Sequence, residues 1–169
     1  MTVAVVPYRI GCQPSSVPGE VVLQDGWSTF VIFEAVSESL GPTGFLDDKG
    51  IAVVECVGCS SAKYGYPNDE GLPEHPLYAL GLADVDPIVE IQGSEWVQQI
   101  LGQQLASANR IWGTHGTEVS VSKGDRRHFL IRLKEGTFEC IARELSVRLY
   151  AKSHAEAFEF VRLLFADHS

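Results

Sequence analysis

Apolar and polar positions alternate most cleanly in two stretches of the C-terminal third, His128–Lys134 and Thr137–Leu145. A period of two is that of a strand with one face buried. Glu135-Gly136 lies between them as a two-residue loop of the acidic-Gly type, so the spacing predicts a β-hairpin. Pairing Lys134 with Thr137 sets Leu133 opposite Phe138, Ile131 opposite Cys140 and Phe129 opposite Ala142. The other face then pairs Arg132 with Glu139 and His128 with Arg143. A slip of one residue would exchange the faces, so the alternation says which side chains look inward.

Runs rich in β-branched and aromatic residues predict further strands at Val3–Ile10, Val21–Leu23, Thr29–Val36, Ile51–Val57, Ile88–Ile91 and Val147–Tyr150. Pro7 assigns the first of these to an edge or a bulge. Gln24-Asp25-Gly26-Trp27 reads as a hairpin turn. Ser37–Gly44 breaks the pattern, and Asp47-Asp48-Lys49-Gly50 reads as a turn into the strand at Ile51. The pattern changes to a helical period twice. Ser94 caps a helix at about 94–106, with Trp96, Val97, Ile100, Leu101 and Leu105 on one stripe. Ser153-His154-Ala155-Glu156 is a capping box opening a helix at 154–166, with Phe158, Val161, Leu164 and Phe165 inward. The expectation is an α+β fold with a mostly antiparallel sheet, as one globular domain over 1–169.

One stretch fits neither period. Lys63–Leu82 carries Pro67, Pro73 and Pro76, which exclude a regular helix or a central strand. Its Tyr64, Tyr66, Leu72, Leu77, Tyr78, Leu80 and Leu82 are too apolar for disorder. An ordered Pro/Gly-rich loop is expected, packed on the body and holding Asp69, Glu70, Glu74 and His75 near the surface.

A formal charge of -9 argues against nucleic acid or an anionic membrane as the partner. The compact basic run, Arg126-Arg127-His128 flanked by Lys123, is interrupted by Asp125. No apolar run is long enough to span a membrane. The start of the chain lacks the basic and long apolar segments of a signal peptide, and Cys12, Cys56, Cys59 and Cys140 then read as reduced thiols of a cytoplasmic protein.

The candidate chemistry is sparse. Cys56-Val57-Gly58-Cys59 is a C-x-x-C without a following helix to activate a thiol. A zinc site would need it joined by His75, His128 or Cys140, and the blander reading is small residues finishing a buried strand. Glu74-His75 beside Asp69 and Glu70 suits a carboxylate-oriented general base, with His128 and Glu139 adding to it if the loop folds over the hairpin. The blander reading has Asn68 and Asp69 capping turns and the acids solvated. Cys140 faces the core, where a thiol is inert. The tryptophans read as core residues, with Trp112 in the irregular stretch 109–116 the best candidate for exposure. No G-x-S-x-G elbow or phosphate-binding glycine loop occurs, and no motif names a cofactor.

The blocks Y-G-Y-P-N-D-E-G-L-P-E-H-P-L-Y (64–78) and R-H-F-L-I-R-L-K-E-G-T-F-E-C-I-A (127–142), with the helix start Ser94-Glu95-Trp96, resemble a family of uncharacterised bacterial proteins. The resemblance covers about a third of the chain and implies no activity, cofactor or catalytic residue. The expectation is therefore a non-catalytic binding or interaction module. It would take a protein or small ligand through the loop residues Tyr64, Tyr66, Asp69, Glu70, His75 and Tyr78. The competing expectation is a metal-dependent or His/carboxylate enzyme acting on a small molecule through His75, Glu74, His128 and Glu139. Homodimerisation by a sheet edge or the apolar loop face is a third.

Overall fold

The computed structural model describes residues 2–112 and 124–167. In chain order the strands are β1 (Ala4–Pro7), β2 (Gln13–Pro14), β3 (Val21–Gln24), β4 (Thr29–Leu40), β5 (Leu46–Val57), β6 (Ser61–Gly65), β7 (Ile88–Gln92), β8 (Arg127–Arg132), β9 (Thr137–Ala142) and β10 (Glu144–Ala151). Helix α1 (Glu95–Trp112) follows β7, and α2 (His154–Ala166) follows β10. The strands form two antiparallel sheets, one ordered β1-β7-β8-β9-β6 and the other β10-β5-β4-β2 with β3 also pairing β4. This is the expected α+β architecture, divided between two sheets.

The sheets face each other across the main core. Val31, Phe33, Val54 and Cys56 from one meet Phe129, Ile131, Phe138 and Cys140 from the other, all buried. Each sheet also buries its outer face. α2 covers Phe30, Ile32 and Val53 with Ala157 and Val161. Leu72 and Leu82, from the segment between β6 and β7, cover Val89, Ile91 and Leu130 on the outer side of the other sheet. Because both faces of the central strands are buried, β9 is buried at every position. Such strands lose the polar alternation of a half-solvated strand.

The hairpin β8–β9 sorts its faces as expected, with Phe129, Ile131, Leu133, Phe138, Cys140 and Ala142 all inward. Its register differs by two residues. Arg132 pairs with Thr137, Ile131 with Phe138 and Phe129 with Cys140. Leu133 N–H donates to Gly136 O at 2.9 Å, so the loop is Lys134-Glu135 and Gly136, opposite Leu133, leads directly into β9. Gly136 is needed for a reason outside the hairpin. A Cβ there would lie 2.8 Å from the Tyr64 ring and 2.9 Å from Gly65 O. The glycine that reads as a turn signal is instead the point where β6 lies against β9.

Other boundaries also move. β4 continues to Leu40 and β5 begins at Leu46, replacing the expected break at Ser37–Gly44 and the turn at Asp47–Gly50. The extension is a mostly exposed ribbon, with Val36 opposite Asp48 and Leu40 opposite Leu46, so no buried face imprints an alternation on it. β1 is only the edge strand Ala4–Pro7, which accommodates Pro7. Lys63–Gly65, expected in the long loop, is part of β6, and short 3-10 turns at Leu72–Glu74 and Tyr78–Leu80 break up the rest. α1 runs to Trp112, past the expected end near 106, and buries only Val97 fully, leaving Leu105 exposed. α2 has its expected bounds and cap, Ser153 Oγ accepting from Glu156 N–H at 3.2 Å, but Phe158 is exposed and stacks beside His154. Trp27 is 77% exposed, contrary to its reading as core. Trp112 is exposed as expected, though on a helix; residues 113–116 of the stretch read as irregular, and Lys123, lie outside the described residues.

Candidate functional site

Glu139 points to the outer face of its sheet from the middle of β9, and its side chain is buried. Strand pairing supplies its first partner. Lys63 of β6 is directly opposite, and Nζ lies 2.9 Å from Oε1. β8 supplies the second. The observed register sets Leu130 opposite Glu139 and His128 opposite Ile141, making His128 a diagonal neighbour on the same face. His128 Nε2 lies 2.8 Å from Glu139 Oε2. The expected pair of Arg132 with Glu139 does not form.

The third partner comes from the segment over the sheet. Thr137 Oγ1 donates to Pro67 O at 2.7 Å, Gly71 N–H donates to Asn68 Oδ1 at 3.0 Å, and Leu72 is buried beneath. His75 ends the first 3-10 turn, its N–H donating to Leu72 O at 2.9 Å, and its ring turns inward. His75 is therefore buried and not near the surface as expected, with Nε2 3.4 Å from Glu139 Oε1. Leu77 N–H donates to His75 Nδ1 at 3.1 Å. That bond makes Nδ1 the acceptor and Nε2 the protonated nitrogen.

The electrostatics follow from this convergence. Burial pushes the Glu139 pKa up, but hydrogen bonds from His128, His75 and Lys63 outweigh it, holding the carboxyl well below the usual range. Ionised Glu139 can only accept, so His128 also gives it Nε2–H, and in the neutral ring Nδ1 is then the acceptor. Facing Nδ1 at 2.8 Å is Ser94 Oγ. Ser94 stands where β7 hands over to α1. Gly93 makes the turn at φ +67°, where a Cβ would also meet Thr2 O at 2.6 Å. Ser94 Oγ accepts from Val97 N–H at 3.3 Å as the helix cap, which leaves its own proton free to point at His128 Nδ1 in the neutral ring. Trp96 packs edge-on against the His128 ring at 5.1 Å, and Lys63 Nζ sits over the indole at 4.8 Å.

These groups border a cavity of about 400 Å³, with Leu77, Leu80 and Ile91 among its apolar walls. The cavity thus has a hydrogen-bonding floor (Lys63, His75, Ser94, His128, Glu139) and a hydrocarbon side, a composition common in small-molecule sites.

Three sequence candidates, His75, His128 and Glu139, are brought together. Glu74 is not; it is exposed and lies beside the Tyr66 hydroxyl, raising its pKa. Asp69 and Glu70 do not reach His75 either, since both bond Lys134 Nζ, at 2.8 and 3.4 Å. The tyrosines stand outside the floor. Tyr64 donates to Glu20 at 3.3 Å, the exposed Tyr66 ring lies over Gly71, and Tyr78 is exposed in the second 3-10 turn. Cys56 and Cys140 lie in the core between the sheets with Cys59 packed against them, so His75 and His128, on the outer face, do not join them. Among the described residues no group of His, Cys, Asp and Glu is arranged to hold a metal ion, and no helix is long and apolar enough to cross a membrane. Ser94, Lys63 and Trp96 were not legible as site residues. Ser94 signals only a helix cap, and Lys63 gains its role by lying opposite Glu139. Compared with family models, curated proteins and solved structures, the chain matches none of them.

Proposed function

We propose that this protein binds a small, uncharged, carbonyl-bearing molecule in the cavity between the 66–82 segment and the start of α1. The observation that carries the reading is the convergence of Lys63, His75 and His128 on buried Glu139 at the cavity floor. Burying an ionised carboxylate is costly unless it is paired and hydrogen-bonded, and here its partners also border an open space. The Glu139 carboxylate is occupied by its donors. Lys63 Nζ, more than half exposed at the side-chain level, keeps N–H groups free to turn toward a ligand. Its charge is already compensated by Glu139, and Glu95 adds a carboxylate at the rim. Such a site favours an uncharged acceptor over an anion, with the alkyl portion against Leu77, Leu80 and Ile91.

The test is a titration of the full chain with hexanamide, hexanoate and hexylamine, following backbone NMR signals. The amide is expected to shift Lys63, His75, Ser94 and Trp96 at lower concentration than either charged analogue. Lys63→Met is expected to weaken the amide by about tenfold, the loss of one hydrogen bond from a largely solvated ammonium. No shift of these signals by any of the three would overturn the reading.

A further inference from the structure

We propose that Ser94 is a nucleophile, with His128 as its general base and Glu139 holding the imidazole, in a site that transfers the acyl group of an uncharged carboxylic ester to water. This rests on the cavity accepting a small carbonyl compound, and adds what the floor does to it.

The hydroxyl, the imidazole and the carboxylate form one chain: Ser94 Oγ to His128 Nδ1 at 2.8 Å, His128 Nε2 to Glu139 Oε2 at 2.8 Å. All three side chains are buried, Ser94 being 5% exposed, yet all three border the cavity. The proton directions follow for the neutral imidazole that a general base requires. Glu139 is acceptor-only, so Nε2 carries the hydrogen, and Nδ1 can take the serine proton as the oxygen attacks. The ring nitrogens have the opposite assignment to that of the familiar serine triad, but the roles are defined by geometry. His75 cannot be the base, because Leu77 N–H occupies its Nδ1; it orients Glu139.

Helix capping alone does not account for the arrangement. A cap needs only an oxygen facing the first-turn amides, and Asn or Asp serve as well as Ser. Nothing in capping requires an imidazole and a carboxylate aligned behind the hydroxyl at the edge of a cavity.

The steps balance as follows. Ser94 Oγ bonds to the carbonyl carbon while its proton passes to His128 Nδ1, and the carbonyl oxygen becomes an oxyanion. Lys63 and the first-turn amides of Glu95 and Trp96, which lack intrahelical acceptors, are the donors available to that oxygen, Val97 N–H being held by Ser94 Oγ. Collapse breaks the carbon–alkoxy bond, and the departing alcohol takes the proton from Nδ1, leaving acyl-Ser94. Water then attacks the acyl carbon with its proton passing to Nδ1, and the proton returns to Ser94 as the carboxylic acid leaves. The net reaction is ester plus water to acid plus alcohol.

The experiment treats the full chain with a fluorophosphonate probe and with p-nitrophenyl butyrate, reading the labelled peptide by mass spectrometry and the release of nitrophenolate. The expected result is a single adduct on Ser94 and ester turnover, both reduced at least ~100-fold in Ser94→Ala and His128→Ala. Ser94→Gly, which still permits a helix cap, separates chemistry from folding. It is expected to unfold close to wild type and yet take no label. An adduct elsewhere, or turnover unchanged in Ser94→Gly, would overturn the proposal. If hexanamide shifts the cavity signals but no adduct forms, acyl transfer fails and ligand binding stands. If neither occurs, both fail.

Discussion

Glu139 shows how one residue can organise a site that its own sequence neighbourhood does not announce. Thr137–Ala142 is buried throughout, and Glu139 is its one ionisable carboxylate. Glu139→Gln replaces an acceptor of three hydrogen bonds by a group that must present N–H to one of those donors. Unfolding in urea at neutral pH is expected to show a loss of about 3 kcal/mol, as for removal of one partner from a buried pair. Lys63→Met should cost less than about 1 kcal/mol, since the amine is largely solvated. The folded carboxyl lies below its unfolded value of about 4.3. Its contribution is therefore complete above the ordinary carboxylate range and declines as the pH falls through the folded value. In a series of urea melts across acid pH, Glu139→Gln should flatten that decline. A second residue-scale prediction concerns Cys59. Its hydrogen bond with Cys140, opposed by burial, brings its pKa down to about 6. Cys140 moves the other way, through its bonds to Cys56 and Cys59 and its own burial. At pH near ~7 iodoacetamide should label Cys59 well before Cys12, Cys56 or Cys140 in the folded protein, and all four alike in urea, by peptide mapping.

At the scale of elements, the hairpin carries the main lesson. Alternation in β8 and β9 is enough to sort inward from outward side chains, because a shift of two residues preserves the faces. It cannot choose between registers two residues apart, and that choice decides whether His128 lies near Glu139. On the other edge of β9 the fit is tight as well, because the Tyr64 ring and Gly65 carbonyl of β6 occupy the space where a side chain at position 136 would be. Gly136→Ala should therefore cost about 2 kcal/mol in urea unfolding, as overpacking does, although its φ is unexceptional for a non-glycine residue. Helix starts were legible for a local reason: Ser94 and Ser153 bond amides within their own first turns. Ser153→Ala should cost about 1 kcal/mol by the same measurement. The far end of α1 was not legible, since its last turns bury nothing fully.

Across the whole molecule, stability and site are layered. The inter-sheet core is closed by residues from strands on both sides, whereas the cavity side is closed by the 66–82 segment through Leu72 and Leu82. Amide exchange should be slowest in β4, β5, β8 and β9 and faster in that segment, which can open without separating the sheets. Leu82→Ala, at a fully buried position, is expected to cost about 3 kcal/mol by cavity formation. It should also speed exchange of the amides of His75 and Leu77 more than those of β4. Equal acceleration in both would show that the segment and the inter-sheet core open as a single unit.

Local chemistry in the sequence determined the antiparallel α+β character, the inward face of the hairpin, both helix starts and, to within one residue, the turn read at Gln24–Trp27 and closed by Asp25 and Ser28. Each depends on periodicity or on bonds between near neighbours. It also marked His75, His128 and Glu139 as candidates by residue type alone. Only the tertiary structure decided that they converge, that Lys63 and Ser94 join them, and that Glu74, Asp69 and Glu70 do not. Those outcomes depend on register, on how β6 packs along β9, and on how the 66–82 segment is pinned over the sheet. All three are long-range, and no pattern within a window of adjacent residues encodes them.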